Sequence, residues 1–209
     1  MIWGLLELYE ATFDVDYLNK ALKLNDVMMA DFWDTQSGGF FFTSETSEPL
    51  LIRQKEGYDG AIPSGNSVSM HNLLRLGRIT GNSRFEEMAS GIGRVLSADA
   101  ERSPAAYTQL MISLDFALGP SYEVVVAGDS RNQATQKILK AIRVPFAPNK
   151  VVIFRPTEVA TPEIDKIAPL QGYQDDNKGK ANIFVCSGLK CQSPTSDIEQ
   201  ALKSLEIEY

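Results

Sequence analysis

The sequence predicts a chain that is mainly α and then α/β. Helical hairpins of a partial α/α toroid occupy residues 1–119, and a small three-stranded α/β module with a parallel β-α-β unit occupies 120–209. Three observations lead there. Apolar residues recur at helical spacing through most of the first 118 positions. One helix pair is repeated further along the chain. Beyond Gly119-Pro120, short apolar runs with β-branched residues flank one amphipathic helix.

Residues 2–13 place Ile2, Leu5, Leu6, Leu8 and Tyr9 on a helical stripe, and 15–33 do the same with Leu18, Ala21, Leu22, Val27, Met28 and Phe32. Asp14 to Asp16 turns the chain between them, which makes an antiparallel hairpin. Gly38-Gly39-Phe40-Phe41-Phe42-Thr43 reads as a turn followed by a short strand. Helical pattern returns over Ser64–Ile79, breaks at Gly81-Asn82, and resumes over Arg84–Leu96, with a fifth helix over Pro104–Leu118. The second hairpin repeats the first. Leu5 aligns with Leu73, Leu6 with Leu74, Leu8 with Leu76, Thr12 with Thr80, Tyr17 with Phe85, Ala21 with Ala89 and Val27 with Val95; the offset, 73 minus 5, is 68 residues. A repeat of that length holds a helix pair plus a loop, and hairpins that cannot bury their apolar faces alone stack on neighbours. Five helices make part of a ring, so with exposed toroid edges the chain is expected either to self-associate or to behave poorly as a monomer.

In the second half, strands are expected at Tyr122–Ala127, Lys150–Phe154 and Lys180–Cys186, with a helix over Gln133–Ile142 between the first two. Strand, helix, strand in that order implies a right-handed crossover and a parallel pair. A last helix carries Ile198, Leu202 and Leu205, opened by a capping box between Ser196 and Glu199. Segments rich in Pro and Gly around 145–148 and 156–179 read as loops.

With 27 Asp and Glu against 20 Lys and Arg, the formal charge is -7, which argues against a nucleic-acid partner. No apolar run approaches the ~20 residues that cross a bilayer, and the first residues lack the pattern of a signal peptide, so a cytoplasmic protein with no membrane partner is expected.

The segment "KEGYDGAIPSGNS", residues 55–67, is the main candidate site. Asp59-Gly60 signals a turn, Pro63 restrains the backbone, and Ser64 can cap the next helix. A helix start does not account for Arg53, Lys55, Glu56, Tyr58, Asn66 and Ser67 beside them. Loops between toroid hairpins converge on the central cavity, where Arg53, Lys55, Tyr58, Ser64, Asn66 and Ser67 are expected to face a ligand. Glu56 and Asp59 are the candidate catalytic pair, since sugar chemistry commonly uses two carboxylates; either can instead brace Lys55 or Arg53. His71 shares a polar stripe with Arg75 and Arg78; a histidine is the natural general base at neutral pH, but a lone one on a charged stripe reads first as a solvated surface residue. Phe40, Phe41, Phe42 and Trp33 can stack on a sugar or form core. Cys186 and Cys191 can form a disulfide, bind a metal with help from elsewhere, or simply pack. No second Cys pair exists, so a four-thiolate zinc site is excluded within one chain. Val124–Asp129 lacks the G-x-G-x-x-G of a dinucleotide site, and no metal or cofactor is implied.

The stretch "LLIRQKEGYDGAIPSGNSVSMHNLLRL", with "PNKVVIF" and "IFVCSGLKCQSPTSD", resembles the bacterial YyaL-like and animal spermatogenesis-associated thioredoxin-domain-containing family along nearly the whole chain. The resemblance implies a longer parent: a thioredoxin-like domain, then a six-hairpin toroid similar to N-acylglucosamine 2-epimerases and related glycosidases, then this C-terminal module. The present sequence would then start inside the toroid. The matching motif residues are Lys55, Glu56, Tyr58, Asp59, Gly60, Pro63, Ser64, Asn66 and Ser67, with Cys186 and Cys191. The resemblance implies binding or processing of a carbohydrate-like small molecule by the intact protein, or a non-catalytic platform for the thioredoxin-like domain.

Overall fold

The structure is a computed structural model that describes all residues except 49–50, 171, 176–178, 189 and 206–209. Leu50 and Leu189, which belong to two of the motifs above, lie outside the described residues, as do Gln171 and residues 176–178 of an expected loop. The chain divides into two compact units: Met1–Gly77 with Asn82–Leu118, and Arg78–Gly81 with Gly119–Tyr209. The fold is mixed helix and sheet.

The first unit is built on α1 (Ile2–Thr12), α2 (Val15–Phe32), α3 (Gly65–Thr80), α4 (Ser83–Arg102) and α5 (Thr108–Leu118). Phe13 ends α1 in a left-handed conformation, φ 57°, with its ring edge-on to Tyr9 at 6.0 Å. Asp14 then opens α2 by accepting a hydrogen bond from the Asp16 amide at 3.0 Å, which satisfies one of the free donors of a helix start. Asn82 opens α4 in the same way, accepting from the Arg84 amide. The fifth helix is shorter than the pattern predicts, because Pro104–Ala106 winds as a separate 3-10 turn before Thr108.

The two hairpins pack side by side. Arg75 of α3, buried to 5% exposure, donates to Glu7 of α1 at 2.6 Å and pairs with Glu10 at 3.0 Å. Ser113 of α5 donates to the Ser67 carbonyl of α3 at 3.2 Å. Ser69 of α3 donates to the Met28 sulfur of α2 at 3.5 Å. A side chain at Gly91 of α4 would crowd the Trp33 ring at 3.2 Å, whereas one at Gly93 would make only ordinary contact with Met70 at 3.5 Å. Leu6, Tyr9, Leu18, Leu73, Leu76, Ile92, Leu110 and Phe116 fill the interior.

The second unit holds a sheet of four strands among the described residues, one more than the sequence predicts. Its order is β2-β1-β3-β4, with β1 (Tyr122–Gly128), β2 (Lys150–Pro156), β3 (Asn182–Ser187) and β4 (Lys190–Cys191). β1 and β2 are parallel in the register Val124↔Val152, joined through α6 (Gln133–Arg143). β1 and β3 are antiparallel in the register Val124↔Val185. The apolar run of β1 suits a central strand with neighbours on both edges. α6 buries Thr135, Ile138, Leu139 and Ile142, and α7 (Ile198–Ser204) buries Ala201 and Leu202. α7 is capped by Asp197 rather than by the expected Ser196–Glu199 box: the Asp197 carboxylate accepts from the Glu199 and Gln200 amides, a stronger interaction than a hydroxyl provides. Arg155 of β2, buried, grips Asp165 through two parallel bonds of 2.9 and 2.8 Å and so anchors the 3-10 turn Glu163–Lys166.

Cys186 and Cys191 are opposite each other across β3 and β4 and form a disulfide. Closing so short a loop lowers the entropy of the unfolded chain by an amount worth about 2 kcal/mol.

Candidate functional site

The segment between α2 and α3 is held by a lattice of side-chain to backbone bonds. At its start Asp34 organises a turn: its carboxylate accepts from the Gln36 amide at 2.8 Å and from the Ser37 hydroxyl at 2.6 Å. Lys55 closes that turn from outside, donating to Asp34 at 2.5 Å, Ser37 at 2.7 Å and the Gly38 carbonyl at 2.7 Å. The Lys55 bond, the Ser37 hydroxyl and the Gln36 amide together hold the Asp34 carboxyl well below the usual carboxylate range. Gly38 and Gly39 both have positive φ, +82° and +76°, which residues with a Cβ rarely adopt.

The aromatic run that follows is not a strand. Phe40 makes a single bridge to Trp33, and the three successive amides bond to three different places: Phe40 to the Asn66 side chain, Phe41 to the Phe32 carbonyl, Phe42 to the Gln54 carbonyl. Asn66 acts as a substitute strand partner for Phe40, accepting at 2.7 Å and donating back at 2.9 Å, while also donating to the Glu56 carbonyl at 2.8 Å. Arg53 donates to the Thr43 carbonyl at 2.7 Å and lies 4.1 Å from the centre of the Phe41 ring.

Asp59 serves both α3 and α5. One carboxylate oxygen accepts from the Ser64 amide at 2.8 Å, the other from the Gln109 and Leu110 amides at 2.9 and 3.1 Å. A buried carboxylate at the N-terminal ends of two helices meets free amides and favourable dipoles together. Ser64 caps α3 by accepting from the Ser67 amide at 3.1 Å, and the two hydroxyls bond at 2.9 Å.

Of the residues that the sequence points to, Arg53, Lys55, Asp59, Ser64, Asn66 and Ser67 are thus brought together as braces of the segment. Glu56 and Tyr58 are exposed. Glu56 borders a cleft of about 230 Å³, lined by Met28 and Phe32 of α2, by Phe40, Phe41 and Phe42, and by Gly65, Asn66 and Ser69 at the start of α3. The lining is mostly apolar, and Glu56 is the one charged side chain among its described residues. Met28, Phe32 and Ser69 are contributions that the sequence reading missed; Met28 and Phe32 stood out only as members of an apolar helical stripe.

His71 is not the solvated residue that its stripe suggests. Its ring stands edge-on to Phe116 at 5.5 Å and to Trp3 at 6.5 Å. Burial, then the neighbouring Arg75 cation, lowers its pKa to about 4 against a smaller opposing pull from Glu7, so the imidazole is neutral at pH 7. It lies outside the residues that line the cleft. Among the described residues no group of three or more His, Cys, Asp or Glu is placed to hold a metal ion, and no helix is long and apolar enough to cross a membrane.

No family model matches the chain. It is similar to spermatogenesis-associated protein 20 of Homo sapiens, 31% identical over 201 residues that cover 94% of this chain and 25% of that protein. The Rattus norvegicus protein of the same name is 30% identical over the same shares. An uncharacterised protein of Caenorhabditis elegans is 26% identical over 200 residues, 96% of this chain and 27% of that protein. The chain spans about a quarter of the length of the curated relatives that it matches. Across nearly all of its residues the chain therefore belongs to the family of spermatogenesis-associated protein 20, over the quarter of those proteins that it matches.

Proposed function

We propose that the cleft beside Glu56 binds a carbohydrate-like small molecule and that the helical unit is a sector of an α/α toroid of the six-hairpin, epimerase-like kind. The observation that carries the reading is the pairing of an aromatic, apolar cleft with a single carboxylate on its border. Aromatic faces take the C–H faces of a sugar ring, and a carboxylate accepts from its hydroxyls. The rest of the segment supports this use, since a wall whose own polar groups are already bonded is preorganised and pays little to order itself on binding. Side-by-side stacking of hairpins, with α1 and α5 both bonded to α3, supports the reading, since rings of this kind are built from stacked hairpins.

The reading favours binding over hydrolysis. Two-carboxylate chemistry requires both groups to reach the substrate, and Asp59 is buried with both oxygens accepting backbone amides. Glu56 is the ligand-facing residue, Tyr58 is exposed but outside the cleft lining, and Arg53, Lys55, Asp59, Ser64, Asn66 and Ser67 position the wall.

Calorimetric titration with glucose, mannose and N-acetylglucosamine tests the proposal. Saturable binding of at least one sugar is expected, weakened about tenfold or more by Glu56→Gln and by Phe42→Ala at unchanged melting temperature. Failure of the unaltered chain to bind any of the three contradicts it.

One observation favours a second reading, a platform for a partner such as the thioredoxin-like domain. Phe42, Leu51, Ile52, Tyr58 and Ile62, all from the same connecting segment, are more than half exposed. Clustered exposed apolar groups mark interaction surfaces. Association of a separately produced thioredoxin-like domain, lost on Ile52→Asp, would support this reading over the first.

A further inference from the structure

The disulfide is the strongest feature of the second unit that the binding proposal leaves unused. Cys186 is buried within β3, at 4% exposure, whereas Cys191 is exposed in β4. The two residues that share the bond are therefore unequally exposed to solvent. β4 consists of Lys190 and Cys191 alone, paired to β3 at Cys186↔Cys191 and Ser187↔Lys190. Past it, the chain is held to β3 by other means: the Gln192 amide donates to the Val185 carbonyl at 2.9 Å, and Ile183 and Thr195 exchange two bonds of 2.7 and 3.1 Å. Ser204 of α7 donates to the Gln192 side chain at 2.5 Å. Opening the disulfide thus leaves β4 held to β3 by its two-residue pairing alone, with the ladder beyond it still tied.

We propose that Cys186–Cys191 is a thiol-exchange site, attacked at Cys191 by a dithiol reductant. The attacking thiolate forms a bond to the Cys191 sulfur, the bond between the two protein sulfurs breaks, and its electron pair leaves on Cys186, which takes a proton from water. The second thiol of the reductant then attacks its own sulfur in the mixed disulfide and releases Cys191. The protein gains two electrons and two protons, and the dithiol loses the same as it closes to its own disulfide. Attack on Cys191 is favoured because the nucleophile must approach the sulfur from the side opposite its bonded partner, and access and thiolate character govern such exchange. The Lys190 cation, adjacent in sequence and exposed, favours an approaching thiolate and the one released at Cys191.

The test uses the whole chain. Under native conditions with millimolar dithiothreitol, two thiols are expected to appear at unchanged far-UV circular dichroism. Amide exchange should rise at Lys190 and Cys191 while Thr195 stays protected. With glutathione disulfide as the probe, Cys186→Ser should form an adduct at Cys191 about tenfold faster or more than Cys191→Ser forms one at Cys186. Three results overturn the proposal: free thiols in the air-oxidised protein, thiols that appear only when denaturant unfolds the chain, or equal adduct rates in the two variants. The first two measurements need no variant.

Discussion

The two helical hairpins share a sequence pattern and differ in how it is used. Leu6 and Leu74 are both buried, and so are Ala21 and Ala89. Leu8, however, is 45% exposed where its counterpart Leu76 is fully buried, and Tyr17 is half-buried where Phe85 is buried. The difference lies in neighbours. α3 is met by α1 through Arg75, by α2 through Met28, by α4 through Met70 and by α5 through Ser113. The Leu8 face of α1 has no such surround among the described residues. A repeated apolar pattern therefore specifies a helix, and the surroundings decide how much of that helix becomes core.

Substitutions can sharpen or break this comparison. The largest effect is expected at the start of the second hairpin. Asp59→Ala removes the acceptor for three amides at two helix ends and should cost about 3 kcal/mol or more in urea unfolding. A purely catalytic carboxylate would leave stability unchanged. Leu76→Ala should cost about 2–5 kcal/mol, and the matching Leu8→Ala under about 1 kcal/mol. Equal costs at the two positions would break the comparison. A smaller effect is expected from pH. His71, with Arg75, Glu7 and the rings of Trp3 and Phe116 around it, has its folded pKa lowered to about 4 from an ordinary 6.5. Between those values the unfolded chain binds a proton that the folded chain does not. The His71 contribution is therefore complete above pH 6.5 and is lost as pH falls toward 4. Unfolding measured at pH 7 and pH 5 should show this drop, and His71→Gln should reduce it. Asp34 acts in a separate window, because a depressed carboxylate loses its contribution only as pH falls below the ordinary carboxylate value.

Much of the architecture was legible because it depends on local periodicity. The helical stripes, the 68-residue offset and the β-α-β order all follow from neighbours in sequence. The candidate segment was legible as a location, and less so in the roles of its residues. Asp59 accepts from amides 50 and 51 positions away, and Asn66 substitutes for a strand opposite Phe40, 26 positions away. Nothing in a turn signal announces such partners. The expected strand at Phe40–Thr43 fails for the same reason: aromatic residues favour a pleated surface, but the amides of Phe40, Phe41 and Phe42 found three separate acceptors instead of one continuous partner. β4 escaped notice because two residues show no alternation.

The central claim is that the braced segment presents a ligand cleft with Glu56 on its border. Amide chemical shifts followed by NMR during a titration with N-acetylglucosamine, glucose and mannose test it most directly. The account predicts saturable shifts, with at least one of these sugars, concentrated at Phe40–Phe42, Glu56 and Gly65–Ser69. Those shifts should be abolished or strongly weakened by Glu56→Gln while the rest of the spectrum is preserved. Saturable shifts that fall elsewhere, or that persist unchanged in Glu56→Gln, would contradict it, as would a flat titration with all three sugars.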